Sequence, residues 1–203
     1  MAATYTWLGH AAFRLQGKGT TVYLDPYQLK GGIPADIICV THSHSDHFSP
    51  DDIAKISKAD TVIIAPPDCK APKLHPMSVK PGEKMEVKGV LIEAVPAYNI
   101  GKQYHPPQRE WVGYIITLDG TRIYHMGDTD FIPEMAQIRA DVVLVPVGGK
   151  YTMNAQEAAK AVNTIQPKVA VPMHWGGIIG SGEDARAFEA AAHVPVKVLQ
   201  PEV

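Results

Sequence analysis

The chain is 203 residues long, with 45% hydrophobic and 20% charged side chains and a formal net charge of −2. That length can bury a substantial core, and the charge balance excludes a global electrostatic attraction for nucleic acid or anionic membrane. No stretch approaches transmembrane length, and the N-terminus has neither a basic region nor a sustained apolar one, so a cytoplasmic, non-membrane protein is expected.

Alternating or β-branched runs at 4–8, 12–16 and 21–24 predict an opening antiparallel meander whose last strand ends in Asp25-Pro26. Residues 35–40, Ala-Asp-Ile-Ile-Cys-Val, read as a buried strand. Ser49-Pro50-Asp51-Asp52 then has the form of a helix start, with a Ser N-cap, Pro at the first helical position and acids in the first turn. A strand at 61–65 follows, and Lys88-Gly89 joins 84–87 to 90–95 as a hairpin. Residues 96–110 form a long Pro-rich connection, a length that in compact domains usually carries function or motion.

A second half opens with 112–118 and 121–125, joined by Asp119-Gly120. A short helix at 133–138, a buried strand at 141–146 and a capping box at Asn154 and Glu157 for a helix to 165 come next. A strand at 168–172 delivers Met173-His174-Trp175, a helix runs from 181 to 192, and a strand at 196–199 closes the chain. Strand-rich stretches with helices on both sides predict a layered α/β sandwich, here one domain over 1–203.

The chemistry concentrates at 41–47, Thr-His-Ser-His-Ser-Asp-His. On an α-helix, residues two apart point in nearly opposite directions, whereas in extended or turning chain His42, His44 and Asp46 can share one side and converge. Imidazoles with a carboxylate suit a borderline cation such as zinc, and also manganese, iron or nickel. Cys39 and Cys69 have no paired Cys or Cys-His spacing and read as inert buried thiols.

Leu8-Gly9-His10, Asp25-Pro26, His42-x-His44-x-Asp46-His47, Gly127-Asp128-Thr129 and Pro172-Met173-His174 follow one another in an order and at intervals that resemble the metallo-β-lactamase fold superfamily. Nearly the whole chain shares the resemblance, which is nearest to single-domain metal-dependent hydrolases similar to ascorbate-6-phosphate lactonase. It implies a four-layer αββα sandwich with its ligand loops at one edge of the sheets. It also implies two divalent metal ions: the first bound by His42 and His44, the second by Asp46, His47 and His174, with Asp128 bridging them. A water between two such cations loses a proton near neutral pH and becomes a nucleophile, which Asp46 could orient. The expected activity is hydrolysis of a small, anionic ester, lactone or phosphodiester, with Asp46 and Asp128 as the catalytic carboxylates.

Where the superfamily supplies a third histidine for the first metal, this chain has Asn99, a weaker donor for zinc. His105, in the same loop, is the other candidate, and a single bound metal is the alternative outcome. His10, Asp25, His125 and Lys150 are candidates for groups that support the ligands or contact substrate; Lys102 and Arg109 join Lys150 as cations that could hold an anion. His75 and His193 read as surface residues. The rival readings are a non-catalytic metal or ligand sensor, a di-iron oxidoreductase and a nuclease. The cluster's second position argues against the oxidoreductase, holding His44 rather than a carboxylate, and the charge balance argues against the nuclease. A small-molecule partner is expected, and a homo-oligomer is compatible with the sequence.

Overall fold

Two runs of strands, each able to bury an apolar face, pair off separately in the computed structural model, which describes residues 3–202. The first comprises β1 (Thr4–Gly9), β2 (Ala12–Gln16), β3 (Thr21–Leu24), β4 (Ile37–Cys39), β5 (Val62–Ala65) and β6 (Met77–Ser78), with helix α1 (Pro50–Ile56) between β4 and β5. Their sheet is six-stranded in the order β1-β2-β3-β4-β5-β6, antiparallel from β1 to β3 and parallel from β3 to β6.

The second contains β7 (Lys84–Val87), β8 (Val90–Pro96), β9 (Val112–Leu118), β10 (Thr121–His125), β11 (Val142–Pro146) and β12 (Val169–Met173), with α2 (Ala155–Ile165) and α3 (Gly182–Ala191). Its order is β12-β11-β10-β9-β8-β7. Lys88-Gly89 and Asp119-Gly120 close its two hairpins with positive φ at both turn residues, as those dipeptides predict.

The alternation of side chains builds the layers. Phe13, Leu15, Ile37 and Cys39 face Tyr114, Ile116, Ile123 and Leu144 across the space between the sheets. Ile38 and Val40 turn the other way, onto Ile53 and Ile56 of α1. On the far side, Val143 and Val145 pack against Ala158, Val162 and Phe188 of α2 and α3. Helix, sheet, sheet and helix are thus stacked in the expected αββα order, and each of the large buried side chains contributes about 1.5–3 kcal/mol. Among the described residues no helix is long and apolar enough to cross a membrane.

Three elements differ from expectation. The segment at 133–138 is a 3-10 turn, Pro133–Gln137, and not an α-helix. The strand expected at 196–199 is reduced to one parallel bridge between Ala170 and Val196, with the Ala170 N–H bonded to the Pro195 carbonyl and the Lys197 N–H to the Ala170 carbonyl. Met77–Ser78 adds a two-residue edge strand with no periodicity to reveal it.

Candidate metal centre

In the first sheet β1, β3 and β4 run the same way, and in the second β8, β10 and β12 do. The residues of interest follow the C-terminal ends of these strands: His10, Asp25, the 42–47 segment, the 99–105 loop, Asp128 and His174. Backbone bonds join the two sheet edges there, from the His174 N–H to the His10 carbonyl (2.8 Å) and from the Val112 N–H to the Thr41 carbonyl (3.1 Å). The chain must reverse sharply at each strand end, and His10, Asp25 and His174 do so with φ of 50°, 44° and 60°. Such left-handed backbone is uncommon outside glycine and costs on the order of 1–3 kcal/mol per residue.

Ligand-type atoms converge in three overlapping sets, with the atoms of each lying within 4.8 Å of one another: His42, His44 and His105; His42, His47 and Asp128; and His10, Asp46, His47 and His174. His42 Nε2 and His44 Nδ1 are 3.1 Å apart. Asp128 stands between the histidines, with Oδ1 at 3.4 Å from His47 Nε2, and Oδ2 at 3.3 Å from His105 Nε2 and 3.1 Å from His174 Nε2. His47 Nε2, His105 Nε2, His174 Nε2 and Asp128 Oδ1 are buried with no hydrogen-bond partner. Leaving a buried polar atom unpaired costs about 1–3 kcal/mol, so four of them gathered around the Asp128 carboxylate mark a place built for further partners.

The opposite nitrogens are held. Asp25 Oδ1 accepts the Thr41 N–H (2.7 Å), while Oδ2 accepts the Thr41 hydroxyl (2.6 Å) and the His47 Nδ1–H (2.7 Å). With its proton given to Asp25, the Thr41 oxygen accepts the His42 Nδ1–H at 2.9 Å. One buried carboxylate thereby fixes both rings with Nε2 facing inward. His125 donates from Nε2 to the Ala11 carbonyl (2.8 Å) and accepts the Gly127 N–H (3.2 Å), locking the neighbours of His10 and Asp128 from behind.

Asn99 does not present a free oxygen. Its Oδ1 accepts both the His105 N–H (3.0 Å) and the His105 Nδ1–H (2.9 Å), and its amide donates to Asp130 (3.1 Å) and the Tyr151 carbonyl (3.0 Å). The expectation of Asn99 as a metal-binding donor is therefore corrected: its bonding capacity is spent on orienting His105, which takes the inward place. Asp130 and Thr41 are the supporting residues that sequence reasoning missed. Both adjoin motif residues, but their partners are 31 and 16 positions away, beyond any local signal.

Electrostatics follow from burial and the crowd of like groups. Burial, with the neighbouring His47 ring, pushes His42 well below the usual imidazole range. Burial also opposes charge on His47, but Asp128, Asp25 and Asp46 outweigh it and raise this ring to about 9. Asp46 is held at about 2 against the effect of burial, chiefly by its 3.0 Å hydrogen bond to His10. Asp128 is driven far below the carboxylate range by His174 and His47 despite complete burial.

The candidate cations are more scattered. Lys102 is committed to Asp130 (2.6 Å) and the Thr152 carbonyl (2.7 Å). Arg109 lies over the Trp111 ring, and Lys150, exposed, over Tyr151. His75 and His193 are exposed as expected, and Cys39 and Cys69 are buried free thiols.

A family model described as a β-lactamase superfamily domain matches residues 4–174. A UPF0173 metal-dependent hydrolase of Methanopyrus kandleri is 33% identical over 97% of this chain and 96% of its own, and one of Archaeoglobus fulgidus is 34% identical over 98% and 93%. Among solved structures, a metallo hydrolase from Ignicoccus hospitalis superposes with a TM-score of 0.80 at 25% identity, covering 100% of this chain and 97% of that one. A Parabacteroides distasonis protein assigned as a metal-dependent hydrolase does so with a TM-score of 0.86 at 33% identity, covering 98% and 94%. The fold, the cluster at the strand ends and these likenesses agree: the chain belongs to the metallo-β-lactamase superfamily, alongside the UPF0173 metal-dependent hydrolases.

Proposed function

We propose that the chain is a binuclear metal-dependent hydrolase of a small ester, lactone or phosphodiester. The observation that carries this reading is the set of four buried, unpartnered atoms on His47, His105, His174 and Asp128, facing one another at the end of the strands. The donor set, imidazoles and carboxylates without thiolate, fits zinc or a similar divalent ion. His42, His44 and His105 would hold one ion, Asp46, His47 and His174 the other, and Asp128 would lie between them.

Cations held there would supply acidification of water and compensation of the negative charge on an attacked carbonyl or phosphoryl oxygen. The rest is done by the chain. Asp25 and Thr41 keep His42 and His47 in a single tautomer, Asn99 does so for His105, and His10 fixes the rotation of the Asp46 carboxylate, which would orient water. Trp111 packs beside His42 and His44, with ring centroids 4.9 and 4.8 Å away, and adds an apolar wall at that end of the cluster.

Metal content by plasma mass spectrometry on protein purified without chelator, paired with turnover of aryl ester, lactone and phosphodiester panels, tests the reading. Close to two ions per chain with turnover of one class is expected. One ion or fewer sinks the binuclear centre, and full occupancy without turnover on any panel favours a metal or ligand sensor.

A further inference from the structure

We infer that a cleft beside the metal centre receives a flat, uncharged, apolar arm of the substrate, so that the chemical class acted on is an aryl or similarly cyclic ester or lactone. This rests on the hydrolase reading and extends it. The cleft has a volume of about 750 Å³, within the range that encloses small-molecule ligands. His10 lines it, and that ring bonds to Asp46 and lies 4.0 Å from the His174 ring, so a molecule filling the cleft adjoins the residues assigned to the second metal.

The walls decide the class. On one side Trp7 and Trp175 pair with ring centroids 4.8 Å apart, and both indole N–H groups are spent on backbone carbonyls, of His10 and Pro172. Trp7 is only 3% exposed, so half-buried Trp175, backed by it, is the ring that offers apolar surface to the cleft. On the other side Tyr27 reaches to 5.9 Å from His10, and Ile178, 53% exposed, stands at the lip. The buried cation lining the cleft, Arg14, is matched in charge by a two-point pair with Glu202 at 3.0 and 2.8 Å, which leaves its buried Nε–H as an uncompensated donor but no unpaired charge on that side chain. Aromatic faces with their polar edges satisfied stack flat groups, at about 0.5–1.5 kcal/mol beyond simple burial.

Gly176 and Gly177 leave backbone bare at the rim, and a Cβ at either would meet no atom within 4 Å. Gly177 also lies outside the left-handed region, so Gly177→Leu adds bulk there without backbone strain. The test is calorimetric titration of the metal-loaded protein with 2-naphthol and with 1-butanol, together with the KM for 2-naphthyl acetate, which water splits into 2-naphthol and acetic acid. Saturable binding of 2-naphthol is expected, at least tenfold tighter than butanol. Tyr27→Ala and Gly177→Leu should each weaken it, and raise that KM, by about tenfold while metal content stays that of the parent. Absent or unsaturable naphthol binding, or binding equal in parent and variants, would overturn the cleft assignment even if esters are hydrolysed. Cleft-dependent binding with turnover of phosphodiesters alone would overturn the ester or lactone assignment, and with no turnover on any of the three panels it would overturn the hydrolase reading on which the assignment rests.

Discussion

Asp128 and Asp130 stand two positions apart, and their predicted losses differ in kind. Asp128 faces His47, His105 and His174 directly, so Asp128→Ala should abolish turnover and strip metal, as enzyme assay and metal analysis would register; retained activity would end the proposed mechanism. Asp130 touches none of those rings. It accepts the Asn99 amide (3.1 Å), the Ile100 N–H (2.7 Å) and the Lys102 ammonium (2.6 Å), and through Asn99 it aims His105. Asp130→Ala should therefore weaken metal binding by about 10–100-fold, the usual cost of losing such a supporting partner, and leave His42 and His44 ordered. Competition with a fluorescent chelator reads the affinity, and an unchanged value would remove Asp130 from the relay. The dense cluster at 42–47 was legible because adjacent ligands need no long-range information. The choice between Asn99 and His105 was not, since it depends on how a loop folds against Asp130 and Tyr151, both remote in sequence.

Among the elements, the two hairpins and the helix starts were readable because turn dipeptides and caps act locally, whereas the extent of the closing strand depends on a distant partner edge, which it meets only at Ala170. Helix α1 does more than cover β4. Its Asp52 accepts the backbone N–H groups of Gln28 (2.8 Å) and Leu29 (3.0 Å), tying down the loop that forms one wall of the cleft. Burial alone would raise the Asp52 carboxyl, but Lys55, Ser49 and those two N–H groups together hold it below the ordinary value. A carboxyl lowered by folding stabilises fully above its unfolded pKa of about 4 and loses that contribution as pH falls through the folded value. Asp52→Ala should cost about 1–3 kcal/mol at neutral pH, and denaturant curves of parent and variant should converge as pH drops below about 4. A gap that widens in acid would refute the assignment.

Across the whole molecule, the centre draws His10, His42, His44, Asp46 and His47 from the first sheet's edge and His105, Asp128 and His174 from the second's. Metal held by these residues would therefore tie the two halves of the chain together. An ion at 100 times its dissociation constant adds about 2.7 kcal/mol, which for a chain of this size is roughly 5–10 °C in Tm. Chelation followed by calorimetry should show that fall, and restoring zinc should reverse it; an unchanged Tm would mean that the ions do not bridge the halves.

The left-handed turns at His10, Asp25 and His174 carry one more consequence. Glycine would adopt each of these conformations more cheaply, by about 1 kcal/mol. A protein engineer selecting only for thermal resistance in metal-free protein would be drawn toward glycine at these positions, erasing the ring that steadies Asp46, the carboxylate behind two histidines and a ring facing Asp128. Thermostabilisation campaigns on this chain should exclude those codons from the library, because there endurance and chemistry make opposite demands on one backbone angle.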